Sequence, residues 1–173
     1  MMNPILDKLK GGDRRSIGRS NEVVVEVLAD PGLFGVVFEG MLDDDPLIRM
    51  RCADAIEKMT VNHPEYLRPY KTKLIRQVAA IDQQEVRWHV APLLSRVDLT
   101  PRERRAVVAI LQGYLKDESK IVKTLSMQAL ADMAEQDASL RAPIIRQLEE
   151  LTRSGSPAMR SRGRKLLAKL KSN

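Results

Sequence analysis

Four stretches of seventeen residues superpose without a gap along this chain: 43–59, 81–97, 117–133 and 154–170. Each opens on a polar turn and then carries a lead apolar residue, Ile48, Val86, Val122 or Met159, at spacings of 38, 36 and 37. A cation follows each lead at once (Arg49, Arg87, Lys123, Arg160), and eleven residues beyond each lead stand Met59, Val97, Met133 and Leu170. In DDDPLIRMRCADAIEKM, the positions Ile48, Cys52, Ala55, Ile56 and Met59 share one side of a helix with about 3.6 residues per turn. Asp45 is placed to cap that helix and Pro46 to occupy its first position. One such helix cannot bury its stripe alone, so copies at a fixed period must lean on one another.

A second apolar helix is expected before each copy, over 31–42, 65–80, 101–116 and 138–152. Thr100-Pro101-Arg102-Glu103 opens the third with a capping box, whereas Pro69 and Pro143 should bend or delay theirs. Ahead of the repeats, Asn3-Pro4 starts a short helix that stops at Gly11-Gly12. Ser16 to Ala29 reads as a second helix with Ile17, Val24 and Leu28 on one side, broken by Asp30-Pro31-Gly32. No apolar–polar alternation competes as a strand, and aromatic residues make up only 3% of a chain dominated by helix formers. The reading is all-α and a single domain over 1–173: a hairpin cap at 1–30, then repeats at 31–62, 63–99, 100–136 and 137–173.

The unit "acidic turn, Pro, Val/Ile-Arg, small apolar residues, Ala-Leu" resembles the HEAT repeat of the armadillo-like superhelix family. DDDPLIRMRCADAIEKM fits it almost position for position, and DESKIVKTLSMQALADM and SGSPAMRSRGRKLLAKL fit well. IDQQEVRWHVAPLLSRV departs at Trp88, His89 and Pro92. The likeness covers residues 31–170 and also extends to bacterial HEAT-domain proteins of unassigned role. It implies antiparallel helix pairs stacked into a right-handed solenoid whose second helices line a concave face.

Helical angles name that face. Trp88 lies about 200° round from Val86, and its counterparts are Met50, Thr124 and Ser161. Four residues on come Asp54, Pro92, Gln128 and Lys165, and on the flank Arg51, His89, Leu125 and Arg162. The expected partner-binding residues are therefore Met50, Arg51, Asp54, Trp88, His89, Gln128, Arg162 and Lys165. Trp88, Met50 and Arg51 serve as anchors, with Arg162 and Lys165 offering charge to an acidic protein or peptide. The cations Arg49, Arg87, Lys123 and Arg160 are read as a ladder pairing with the acidic turns between repeats.

Chemistry is thinly represented. His63 and His89 are 26 apart with no cysteine beside them, so no metal site is expected. The lone cysteine, Cys52, sits on the buried stripe and rules out an intramolecular disulfide. Asp43-Asp44-Asp45 lacks the alternating ligands of a calcium loop and reads as capping. With no phosphate-binding glycine loop either, no catalysis and no cofactor are expected. Residues 141–173 hold nine Lys/Arg against Glu149 and Glu150, while residues 1–140 balance twenty against twenty-one. The basic excess thus belongs to the C-terminal end. Nucleic-acid binding is the alternative reading, including a remote likeness to HEAT-like DNA glycosylases through Trp88 and Asp54. No apolar run resembles a signal peptide or a membrane span. The expectation is a cytoplasmic monomer.

Overall fold

A computed structural model describes residues 3–172; Met1, Met2 and Asn173, at the ends of the expected first and last units, lie outside the described residues. The chain is all-α, and no strand occurs among the described residues. It packs as two compact units, 1–98 and 99–173, dividing where the third repeat was expected to open.

In the first unit, α1 (Pro4–Asp7) is capped by the Asn3 side chain and α2 runs Ser20–Ala29. A 3-10 turn leads into α3 (Phe34–Gly40), followed by α4 (Pro46–Asn62). Asp45 caps α4, accepting from the Leu47 amide at 2.8 Å, and Asp43 holds the Asp45 amide in the same turn. The second pair departs most from expectation. Instead of one helix over 65–80 there are a 3-10 stretch (Pro64–Tyr70), the short α5 (Lys71–Arg76) and a further 3-10 turn at Val78–Ala80. Pro69 removes an amide from the middle of the segment and costs a helix there one bond, and this segment breaks up. An aromatic cluster compensates. Phe34 and Phe38 of α3 pack on Tyr66 and Tyr70 with ring centroids 5.3 and 4.6 Å apart, gathering four of the five Phe and Tyr residues in the chain. The second helix of this pair, α6 (Gln84–Arg96), runs on through Pro92, and the later helix Ala138–Ser154 runs on through Pro143, where a bend or late start was expected.

In the second unit, α7 (Pro101–Tyr114), α8 (Lys120–Gln136), α9 (Ala138–Ser154) and α10 (Pro157–Ser172) are regular. The capping box at α7 is complete: Glu103 N–H donates to Thr100 Oγ1 at 3.3 Å, and Thr100 N–H to Glu103 Oε2 at 2.8 Å. Thr100→Ala should therefore cost about 1 kcal/mol and lower the melting temperature by roughly 2–4 °C. An unchanged melt would mean that the box contributes nothing.

The helices α4, α6, α8 and α10 begin at equivalent positions, and all four lead residues, Ile48, Val86, Val122 and Met159, are buried. Their shared phase is physical, because each stripe is covered by the helices beside it within its own unit: α4 by α3 and α6, α8 by α7, α9 and α10. Cys52 lies fully buried on that stripe, and burial pushes its thiol well above the usual range.

The N-terminal hairpin corrects the expectation twice. The helix expected from Ser16 starts only at Ser20, because Gly18 takes a left-handed backbone (φ 56°) that a helix cannot continue through. Its buried residues are Ser20, Val23 and Val27; Ile17 and Leu28, expected inside, are 41% and 43% exposed. The Ser20 hydroxyl, bonded to the Asp54 carboxylate, lies on the buried side.

Candidate functional site

The residues expected to line one open face have different surroundings in the two units. In the first unit, α4 and α6 run side by side, and side chains reach across between them. His89 Nδ1 lies 2.7 Å from Glu57 Oε2, and its Nε2 is 4.0 Å from Asp54 Oδ1. Arg96 donates to the Glu57 carbonyl at 2.8 Å and meets its carboxylate at 3.3 Å. Asp54 is bonded by Ser20 and, at 2.6 Å, by Lys58, which also donates to Asn21 at 2.8 Å. The Trp88 ring stands edge-on to His89, 5.9 Å between centroids, and is partly exposed.

Ser20, Asp54 and His89 do not form a nucleophilic set. The Ser20 proton goes to Asp54 rather than to an imidazole, and Ser20 is fully buried. The cluster cross-links helices.

Three of the expected partner-binding residues, two of them anchors, need correction. Met50 (4% exposed), Arg51 (1%) and Asp54 (6%) do not line an open groove. Arg51 turns its guanidinium into the segment ahead of α2. Nη1 donates to the carbonyls of Leu9 (2.7 Å) and Gly11 (2.6 Å), Nη2 to that of Asp13 and Nε to that of Ser16, both 3.1 Å. The helical angle gave its direction correctly. What lies in that direction is the chain's own N-terminal segment.

In the second unit the corresponding face is open. Thr124 and Gln128 of α8, with Ser161, Arg162, Lys165 and Lys169 of α10, bound a cleft of about 630 Å³. Arg162 Nη1 donates to Gln128 Oε1 at 2.7 Å, and Gln128 Nε2 donates to Asp132 at 2.8 Å. Lys169 meets Glu135 at 2.7 Å, and that hydrogen bond raises the pKa of its ammonium. Lys165 is exposed and has no hydrogen-bonding partner among the described residues. The cleft is therefore polarised: Arg162, Lys165 and Lys169 along the α10 wall, the uncharged Thr124 and Gln128 along the α8 wall. Gln128, Arg162 and Lys165 come together here; Trp88 and His89 belong to the other unit.

The expected cation–acid ladder is replaced by something else. Arg49 donates to the carbonyls of Asp43 (2.8 Å) and Asp44 (3.2 Å) in its own turn, and to Gln83 of the next at 2.9 Å. Arg87 likewise turns back on Ile81 and Asp82, both at 3.1 Å. Side chains do reach between neighbours, but 34 residues apart rather than at the 36–38 repeat: Ser20 to Asp54, Lys73 to Glu39, Arg162 to Gln128, Lys169 to Glu135. The shortfall is about one helical turn, because residues that face each other across adjacent helices are not those at equal repeat positions. Pairing polar residues at that shorter offset would have found Glu135 and Lys169, which the repeat alignment missed.

Among the described residues no helix is long and apolar enough to cross a membrane. No protein-family model matches the sequence, and no characterised protein aligns with it significantly.

Proposed function

We propose that this protein is a non-catalytic interaction module, a HEAT-like stack of helix pairs that docks an acidic protein segment in the α8–α10 cleft. The polarity of that cleft carries the reading. Arg162, Lys165 and Lys169 line one wall, and the uncharged Thr124 and Gln128 line the other. A nucleic acid gains most from a continuous cationic track along its phosphates, which three cations on a single helix do not supply. A protein segment with carboxylates along one edge meets only the cationic wall. Trp88, partly exposed beside His89 in the other unit, is a separate apolar contact point.

The remaining C-terminal cations have another role. Arg164 and Lys171 stand five and twelve residues after the lead of α10, where α4 has Ala53 and Thr60 and α8 has Met127 and Ala134, all buried. On α10 the same positions are exposed, and Lys171 is bonded to Glu149 at 2.6 Å. Charge there keeps the exposed side of α10 in water.

Immobilised protein incubated with nuclease-treated lysate should retain protein prey that an Arg162→Glu/Lys165→Glu variant releases. The loss should grow with salt in the wild type, as expected for an ionic contact. Prey that vanish on nuclease treatment, or bind the double variant equally well, would rule this reading out.

A further inference from the structure

We infer that the occupant of the α8–α10 cleft is an α-helix bearing carboxylates along one edge; this rests on the docking role proposed above. The first argument is spacing. Arg162, Lys165 and Lys169 stand at i, i+3 and i+7 on α10, one stripe rising about 10 Å at 1.5 Å per residue. A helix laid alongside repeats that pitch with acids at its own i, i+3 and i+7, so its carboxylates can meet Arg162 and Lys165 and reach Lys169, which already meets Glu135. An extended segment puts same-face side chains about 6.6–6.8 Å apart and loses register within the stripe.

The second argument is shape. Thr124, Ala158 and Ser161, all short, lie along the cleft between the flanking helices, so a cylinder about 10 Å across can settle without displacing long side chains. The third is polarity. Cations stand on the α10 side only, and the α8 side offers the uncharged Thr124 and Gln128, so the ligand's opposite edge needs no charge, which an amphipathic helix supplies and a uniformly acidic tail does not. The molecule already makes one such helix-to-helix contact at this site, Lys169 to Glu135 at 2.7 Å, while Lys165 projects beside it unpaired among the described residues.

The test uses two labelled peptides of about 14 residues, equal in length and net charge, followed by fluorescence anisotropy on the whole 173-residue chain. One is stapled as a helix with Glu at i, i+3 and i+7. Its extended counterpart carries the same glutamates two residues apart between prolines, and a single-stranded oligonucleotide serves as the third probe. The helical peptide should bind at least about tenfold tighter than the extended one, and Lys165→Glu should remove about tenfold of its affinity. Lys165 is exposed, so that variant should melt as the wild type does. Equal or tighter binding of the extended peptide, still sensitive to Lys165→Glu, would overturn the helical occupant and leave acidic docking standing. No binding of either peptide, binding indifferent to Lys165→Glu, or preference for the oligonucleotide would overturn the docking role itself.

Discussion

Arg51→Ala is expected to destabilise the protein by about 3–5 kcal/mol, the largest loss from any single side chain outside the apolar core. The guanidinium is 1% exposed and donates to four main-chain carbonyls between Leu9 and Ser16. Among the described residues no carboxylate pairs with it, and those carbonyls are its compensation for leaving water. They in turn depend on it, since residues 10–19 are all exposed and have little packing of their own. Gly12 and Gly18 make room for the guanidinium: a Cβ on Gly18 would lie 3.0 Å from Arg51 Cζ, and both residues have positive φ. Truncation would leave a void on α4 and release the segment. At 173 residues the melting temperature should drop by roughly 10 °C. Arg51→Lys should fall between, because one ammonium cannot reach the four acceptors a planar fork reaches. A melt within about 2 °C of wild type would show that the segment is held by something else.

Gly163→Ala should also destabilise, against the ordinary preference of helices. Replacing an exposed helical glycine by alanine gains about 1 kcal/mol. Here the new Cβ would fall well inside contact distance of Thr152 Oγ1, 3.0 Å from Thr152 Cβ and 3.2 Å from Met127 Cε. Thr152 cannot turn away freely, since its hydroxyl donates to the Leu148 carbonyl at 2.6 Å. Either that bond breaks or α9 and α10 move apart, and overpacking of this kind costs about 1–3 kcal/mol. The net change should be a loss of about 1–2 kcal/mol in chemical denaturation, and Thr152→Ala in the same chain should recover most of it. Gly113→Ala in α7 supplies the contrast. Among the described residues, no atom beyond its own helical turn lies within 4 Å of its Cβ position, so the same substitution there should be neutral or mildly stabilising. Equal behaviour at the two glycines would mean that α9 and α10 are not packed this closely.

The candidate site was legible only in part, and the reason differs by residue. Gln128, Arg162 and Lys165 were placed together by helical angle alone, and α8 and α10 do bring them to one cleft. The same arithmetic placed Met50 and Arg51 on an equivalent face of α4. It was right about the direction of the Arg51 side chain, but that space is taken by residues 9–16. Main-chain carbonyls carry no residue-type signature, so nothing in the letters of that segment announces them as the partners of an arginine some forty positions later. Ser20 is a similar case. A polar residue on the inner side of α2 contradicts the Ile17–Val24–Leu28 stripe until Asp54 is seen opposite it.

Local physics was therefore readable from residues alone. Caps at Asp45 and Thr100, the common phase of Ile48, Val86, Val122 and Met159, and the burial of Cys52 depend on contacts within a few turns or on a period repeated four times. Tertiary packing alone decided how far Pro69 breaks its segment, which side of α2 turns inward, and where polar side chains find partners 34 residues away. A helical wheel gives the bearing of a side chain. Only the folded neighbours determine whether water, another helix or the chain's own backbone stands on that bearing, and that difference separates the buried Arg51 from the exposed Lys165.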